Sequence, residues 1–151
     1  MKLGYPAGQI ITQENTMTIT LEELVYRLND QVTEEGTSFD AVVLENGVAE
    51  VICSNNEEFP IRLAVTETQL LAVTSLFDTS EVLANEMENL NKMLLQLAPA
   101  VPLSAFGLQG DTYILFGAMA LGTRFENIVH ELEVQAENTI DVLEAIEPLL
   151  A

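Results

Sequence analysis

Three segments of the chain repeat apolar residues every three or four positions, which is the spacing of one face of an α-helix. The first begins at Thr20, and Glu23 three residues later completes a capping box for the amide groups of the first turn. We expect this helix to end near residues 34–36. Its apolar face carries Leu21, Leu24, Val25, Leu28 and Val32.

The second and third helices follow the same rule. The segment "DTSEVLANEMENLNKMLLQLAP" starts with Asp78 or Ser80 as a cap, and Pro99 ends it. Thr123 and Glu126 form the capping box of a terminal helix of about 25 residues. The expected apolar positions are Leu83, Met87, Leu90, Leu94 and Leu97, and then Phe125, Ile128, Val129, Leu132, Ala136, Ile140, Leu143 and Ile146.

Alternating or continuous apolar runs between these helices predict strands. "FDAVVLENGVAEVIC" contains two runs around Asn46 and Gly47, which tolerate the positive φ angles of a type I′ hairpin turn. "FPIRLAV" reads as a third strand with Pro60 at its start, where a missing amide donor is tolerated. "QLLAVTSLF" fits a strand or a helical turn, and its β-branched residues favour a strand.

Residues 97–122 contain a single charged residue, Asp111. A turn at residues 109–111 divides this stretch into two apolar strands, and their continuous hydrophobicity predicts that both faces are covered. Gly107 and Gly117 are expected to mark bulges or the close approach of another backbone segment.

The pattern predicts an α+β fold in the order α-β-β-β-(β)-α-β-β-α, with three helices on an antiparallel sheet of five or six strands. Residues 17–151 are expected to form one domain, and residues 1–16 a flexible N-terminal extension or leader. The longest apolar run, residues 113–121, is far shorter than the roughly 20 residues of a membrane-spanning helix, so no membrane insertion is expected.

The composition is strongly acidic, with 24 Asp and Glu against 5 Lys and Arg and a net charge of −19. Such a surface repels nucleic acid and anionic lipid and attracts cations or basic protein segments. The simpler alternative is that the acidity only keeps the protein soluble. Cys53 is the only cysteine, which suits a reducing cytoplasm, and its apolar context indicates a buried side chain without reactivity.

Candidate chemistry is sparse, so we expect no catalytic residues, bound metal or cofactor. His130 opens "HELEV", but position 134 is Val, which leaves the zinc motif HExxH without its second ligand. Ser104 could act as a nucleophile only with His130 as its base. An acidic stripe on the last helix is either a binding surface for a cation or basic peptide, or simply a solvated face. It consists of Glu126, His130, Glu133, Glu137, Asp141 and Glu144.

Four segments resemble the YjfI-type family of small, acidic bacterial proteins: "NEEFPIRLAVTETQLLAVTSLFDTSEV", "APAVPLSAFGL", "DTYILFGAMALGTRFENIVHELE" and "AENTIDVLEAIEPLL". The resemblance covers most of the chain from about Thr18 onward and transfers no catalytic residues. It implies a cytoplasmic accessory role in envelope stress, beside coiled-coil proteins of the phage-shock-protein-A type. The order of elements also resembles the type III secretion chaperone fold, whose small acidic dimers bind extended client segments.

We therefore interpret the chain as a non-enzymatic, homodimeric protein-binding or chaperone-like module whose partner is basic or resembles phage-shock protein A. Two alternatives stay open: a cation-binding acidic protein, and an enzyme with an unrecognised carboxylate site. The candidate partner-facing residues, each of which could instead belong to the core, are Ile61, Leu63, Val65, Leu103, Phe106 and Phe116.

Overall fold

The computed structural model describes residues 19–151, and the predicted N-terminal extension lies outside them. The helices are α1 (Leu21–Asn29), α2 (Met87–Leu97) and α3 (Phe125–Ile146). The strands are β1 (Phe39–Val43), β2 (Val48–Cys53), β3 (Asn56–Val65), β4 (Gln69–Asp78), β5 (Ala105–Gln109) and β6 (Thr112–Ala120). No helix within residues 19–151 is both long enough and apolar enough to cross a bilayer.

The six strands form one antiparallel sheet in the order β1-β2-β3-β4-β6-β5. This confirms the predicted α+β class and the fourth strand. Asn46 and Gly47 both have positive φ, 71° and 70°, in the β1–β2 hairpin, as their sequence predicts. The ladder between β4 and β6 extends from Gln69 opposite Ala120 to Asp78 opposite Thr112. These two long strands lie between β3 on one side and the edge strand β5 on the other.

All three helices pack on the same face of the sheet, where they form two apolar clusters. In the first, α1 and the N-terminal half of α3 cover β1 to β4, with Leu24, Leu63 and Leu132 fully buried. In the second, α2 and the C-terminal half of α3 cover β4 and β6 around Leu90 and Leu115. The opposite face of the sheet carries no helix of the described chain.

Gln135 lies on α3 and contacts the sheet through its side-chain amide. Its nitrogen donates to the carbonyl oxygen of Ala72 at 3.1 Å and to the hydroxyl oxygen of Thr74 at 2.9 Å, both on β4. The buried face of α3 runs through Gln135, Thr139 and Val142. Ile140, which was predicted on the apolar face, lies beside it and is 39% exposed. The amide thus fixes α3 across β4 with its polar groups satisfied.

Helix α1 is shorter than predicted because the chain turns at Asp30. The Thr20 hydroxyl accepts a hydrogen bond from the Glu23 amide at 3.1 Å, which confirms the N-cap. The Asp30 amide then donates back to the last turn, and Val32 forms an isolated β-bridge with Ser38. Val32 is therefore 62% exposed and does not extend the helix face.

Helix α2 begins at Met87, nine residues later than the predicted cap at Asp78. Asp78 instead caps a single 3₁₀ turn, and Asn85 has a left-handed φ of 68°, which a continuous helix cannot contain. The intervening segment pairs with the end of the chain through a β-bridge between Val82 and Leu150. This long-range pairing competes successfully with the helical pattern.

Helix α3 spans 22 residues, and its N-cap position is occupied by Arg124 and not by Thr123. The Arg124 side chain makes no capping hydrogen bond. The Thr123 hydroxyl donates to the carbonyl oxygen of Ala120 at 2.6 Å, so it is not available for the predicted capping box.

Pro60 lies inside β3, which begins at Asn56. The pairing of β2 with β3 changes register between Val51 and Cys53, and the pairing of β3 with β4 starts only at Arg62. The missing amide donor of Pro60 therefore falls where the ladders are interrupted.

The prediction that both strands of residues 97–122 are covered on both faces holds only for the first half of β6, because Ala118 and Ala120 in its second half are exposed. Tyr113, Ile114 and Leu115 are consecutive and all buried. Strand β5 is an edge strand, and its Leu108 is 56% exposed. Gly117 marks a close backbone approach, as expected, because a Cβ there would lie 3.3 Å from the carbonyl oxygen of Leu103.

Replacing Gln135 with Ala should lower the free energy of unfolding by about 1–3 kcal/mol, because buried hydrogen-bonding groups on β4 lose their partner. Urea denaturation measures this change. Gln96→Ala is the matched control, since Gln96 is an exposed helical residue and its change should stay within about 0.5 kcal/mol. Equal destabilisation by the two substitutions would contradict the anchoring role of Gln135.

Candidate functional site

The acidic stripe of α3 is exposed at five of its six positions and buried at the sixth. Glu133 is only 7% exposed, and one of its carboxylate oxygens accepts a hydrogen bond from the Thr33 hydroxyl at 2.6 Å. The exposed members are Glu126, His130, Glu137, Asp141 and Glu144. The stripe is therefore more than a solvated face, because Glu133 attaches it to the loop between α1 and β1.

This loop and the N-terminal half of α3 enclose a groove of about 380 Å³, which we call the acidic groove. Phe125 and Val129 supply its apolar surface. Its other lining residues are Gln31, Thr33, Glu34, Glu35, Glu126, His130 and Glu133. Four carboxylates therefore line the groove together with a single His, and neither Lys nor Arg is among the lining residues.

Local hydrogen bonds hold the loop in place beside α3. The Thr33 amide donates to the carbonyl oxygen of Thr37 at 2.9 Å, and the Thr37 amide donates to the Thr33 hydroxyl at 3.0 Å. Gly36 between them has a φ of 89°, which favours glycine. Asn55 donates its side-chain amide to the backbone carbonyl of Glu133 at 3.1 Å, so the β2–β3 turn also contacts this part of α3.

The electrostatics of α3 reflect the crowding of carboxylates. Partial desolvation raises the pKa of Glu137, and the negative charges of Glu35, Glu133 and Asp141 raise it further, against the opposing effect of His130. Desolvation also raises the pKa of Glu131, and His130 again opposes the shift. The acidic groove and its continuation along α3 therefore favour the approach of positive charge.

Cys53 is buried at 1% exposure, as the sequence predicts. Burial, with a further contribution from the negative charge of Glu133, raises the pKa of Cys53 to about 12. The thiol is therefore protonated at neutral pH and a poor nucleophile.

Ser104 and His130 do not form a catalytic pair. Ser104 accepts a hydrogen bond from the side-chain amide of Asn138 at 3.1 Å. His130 lies on α3 about two helical turns before Asn138, roughly 12 Å away along the helix axis, and it lines the acidic groove. Within the described part of the chain, no group of three or more His, Cys, Asp or Glu side chains is arranged to hold a metal ion.

The candidate partner-facing residues of β3 and β6 separate into core and surface. Ile61 and Leu63 are fully buried beneath the helices, so they form core and do not face a partner. Val65, at the end of β3, is 42% exposed. Phe116 is partly buried on the helix-free face, in a row of paired residues that also contains Val42, Glu50, Arg62, Val73 and Ala105.

Leu103 and Phe106 lie at the edge of the sheet beside α2. Leu103, in the loop before β5, is 49% exposed, and two further leucines are more exposed, Leu95 of α2 at 76% and Leu108 of β5 at 56%. Phe106 contributes to a pocket of about 320 Å³ between α2 and β5, together with Asn91, Leu94, Leu95, Gly107, Leu108 and Tyr113. We call this pocket, with the exposed Leu95 and Leu108 that line it, the α2–β5 patch.

The loop that carries Leu103 is held from α3. Asn138 donates its side-chain amide to the carbonyl oxygen of Pro102 at 2.7 Å as well as to Ser104. Leu103 itself has a φ of 61°, which is unusual for a residue with a side chain. Its exposure is therefore fixed by a defined loop conformation.

Sequence reasoning identified the α3 stripe but missed the loop that completes the groove. Thr33 and Glu133 are 100 residues apart, so no local pattern connects them. The available signal was the pair Glu34 and Glu35 in a polar turn, which by itself is typical of any solvated loop.

Comparison with known proteins gives a family and a small set of relatives. A family described as an uncharacterized protein conserved in bacteria, DUF2170, matches residues 18–150. The uncharacterized protein YjfI of Escherichia coli strain K12 is 28% identical over 94 residues, which cover 60% of this chain and 69% of YjfI. YjfI of E. coli O157:H7 matches to the same extent. These matches confirm the predicted resemblance.

Among solved structures, the chain is similar to one in the crystal structure of the ExsC-ExsE complex. The TM-score is 0.46 at 14% sequence identity, and the match covers 87% of this chain and 97% of the other.

Glu137→Gln should raise the melting temperature at pH 7, because it removes repulsion of about 0.2–0.5 kcal/mol for each like charge one helical turn away. A carboxyl with a raised folded-state pKa is more stabilising when protonated, so its contribution is present at low pH and is lost as pH rises through that pKa. The variant should therefore also gain less stability than the wild type between pH 7 and about pH 5.

Thermal melts followed by circular dichroism measure both effects. Glu67→Gln, in the exposed turn between β3 and β4, removes the same charge far from α3 and serves as the control. A lower melting temperature for Glu137→Gln than for the wild type at pH 7 would contradict the repulsion assigned to this stripe.

Proposed function

We propose that this chain, which belongs to the DUF2170 family of bacterial proteins, is a non-enzymatic module that binds a basic protein segment in the acidic groove. The observation that carries this proposal is the combination of four carboxylates with an apolar surface in one groove. We further propose a chaperone-like accessory role in the cytoplasm, with envelope stress as the setting that the YjfI resemblance implies.

The chemistry of the groove suits Lys and Arg side chains. Their aliphatic stems can lie against Phe125 and Val129 while their charged ends reach Glu34, Glu35 or Glu126. Ion pairs at the exposed rim of the groove stay partly hydrated after binding, which limits the cost of desolvation. Glu133 is buried and accepts a hydrogen bond from the Thr33 hydroxyl, which fixes the position of its carboxyl group in the groove wall.

The charge of the whole molecule supports the same partner. A net charge of −19 produces a negative field that accelerates encounters with basic segments and repels acidic ones. Arg27 lies over the ring of Phe125, 4.0 Å from its centroid, but is not among the residues that line the groove. Basic segments are therefore attracted from a distance and bound locally by one groove.

The proposal predicts that a labelled, extended peptide of alternating lysine and leucine binds, and that its glutamate-for-lysine counterpart does not. Fluorescence anisotropy at low and moderate salt gives the affinities. Neutralising the exposed rim together, as Glu34→Gln, Glu35→Gln and Glu126→Gln, should weaken binding about 10-fold, because each exposed ion pair contributes about 0.2–1 kcal/mol.

A control of equal charge change separates the groove from the general field. Glu45→Gln, Glu58→Gln and Glu67→Gln remove three exposed carboxylates at the turns and strands of the sheet and should change the affinity less than about twofold. Equal losses for the two triple variants, or no binding of the lysine peptide to the wild type, would overturn the proposal. A phage-shock-protein-A-type protein can be tested as the partner in the same assay.

A further inference from the structure

The α2–β5 patch combines an open sheet edge with exposed apolar side chains. Among the described strands, β5 pairs only with β6, so one side of its backbone offers unpaired amide and carbonyl groups. Edge strands of this kind are normally protected by a charge, a proline or a bulge. The other edge strand, β1, carries the exposed Asp40, whereas β5, with the sequence AFGLQ, contains neither a charge nor a proline.

Helix α2 extends the apolar surface beyond the strand. Leu95 is 76% exposed on α2 and lines the same pocket as Leu108, which is 56% exposed on β5. Phe106 and Tyr113 form the inner wall of this pocket, which is large enough at about 320 Å³ to accept an apolar side chain. The patch therefore offers backbone pairing and side-chain burial together.

The charge distribution identifies the occupant. Residues 93–110 contain no Asp, Glu, Lys or Arg, and they are flanked by one charge of each sign, Lys92 and Asp111. Two molecules that each carry a net charge of −19 can associate closely only where neither presents carboxylates to the other. A basic segment would gain little here, because its lysines would find no carboxylate partners.

We infer that the α2–β5 patch is the interface at which a second copy of this chain binds, with the two β5 strands pairing antiparallel about a twofold axis. Such a contact is isologous, so each copy supplies the same strand edge and the same leucines. The two sheets become one continuous sheet, which removes the unprotected edge, and α2 of each copy covers apolar surface of the other. The acidic grooves are separate from this interface and remain accessible.

Light scattering coupled to gel filtration of the full chain tests the inference. The wild type should have twice the 16.6 kDa mass of the chain at moderate salt. Because the contact is symmetric, Leu95→Glu and Leu108→Glu each add two carboxylates, one from each copy, to an apolar interface, and each should halve that mass. Both side chains are exposed, so folding is preserved and circular dichroism verifies it.

Val42→Glu is the matched control, because Val42 is 50% exposed on the opposite edge strand, and its variant should remain a dimer. Hydrogen exchange should also be slower at the β5 amides of the wild type than in Leu95→Glu. A monomeric wild type, disruption by Val42→Glu alone, or equal β5 exchange in wild type and Leu95→Glu would each overturn the inference. Peptide binding to the acidic groove is measured separately, so its failure leaves this test unaffected.

Discussion

The packing of α3 across the sheet is the constraint on which both surfaces depend. Gln135 attaches the helix to β4 through Ala72 and Thr74, between two apolar clusters that the helix joins. Close to this anchor on the same helix, Glu133 binds the loop before β1, and Asn138 binds the loop before β5. The position of α3 therefore determines where both the acidic groove and the α2–β5 patch form.

The distribution of charge gives the two surfaces different partners. Carboxylates are concentrated on α3 and on the loop beside it, where they add to the effect of partial desolvation in raising the pKa of Glu137 and favour positive charge. Residues 93–110 form an uncharged strip at the far edge of the sheet, where apolar contacts between like molecules meet least repulsion. An acidic protein can thus bind a basic segment at one place and its own copy at another, with little competition between them.

Much of the fold was predictable from local pattern, because apolar periodicity and turn chemistry specify elements directly. The hairpin at Asn46, the strand at β4 and the buried Cys53 all follow from such signals. The start of α2 could not be predicted in this way. Its expected first turns are replaced by a segment that forms a β-bridge between Val82 and Leu150, and this bridge exists only in the folded chain. Only half of the candidate site could be predicted. The acidic stripe of α3 is a local pattern, but the loop that forms the other side of the groove lies 100 residues earlier in the chain. Leucines of the core and of the surface cannot be distinguished by sequence pattern alone.

The central claim is that the two surfaces act separately, and a single spectroscopic titration tests it most directly. The ¹⁵N-labelled full chain is titrated with the lysine and leucine peptide while amide shifts are followed by NMR. The account predicts shifts at residues 31–35 and 125–133 and none at the β5 amides from Ala105 to Gln109. Shifts centred on β5, or shifts spread evenly over all acidic surfaces, would contradict it.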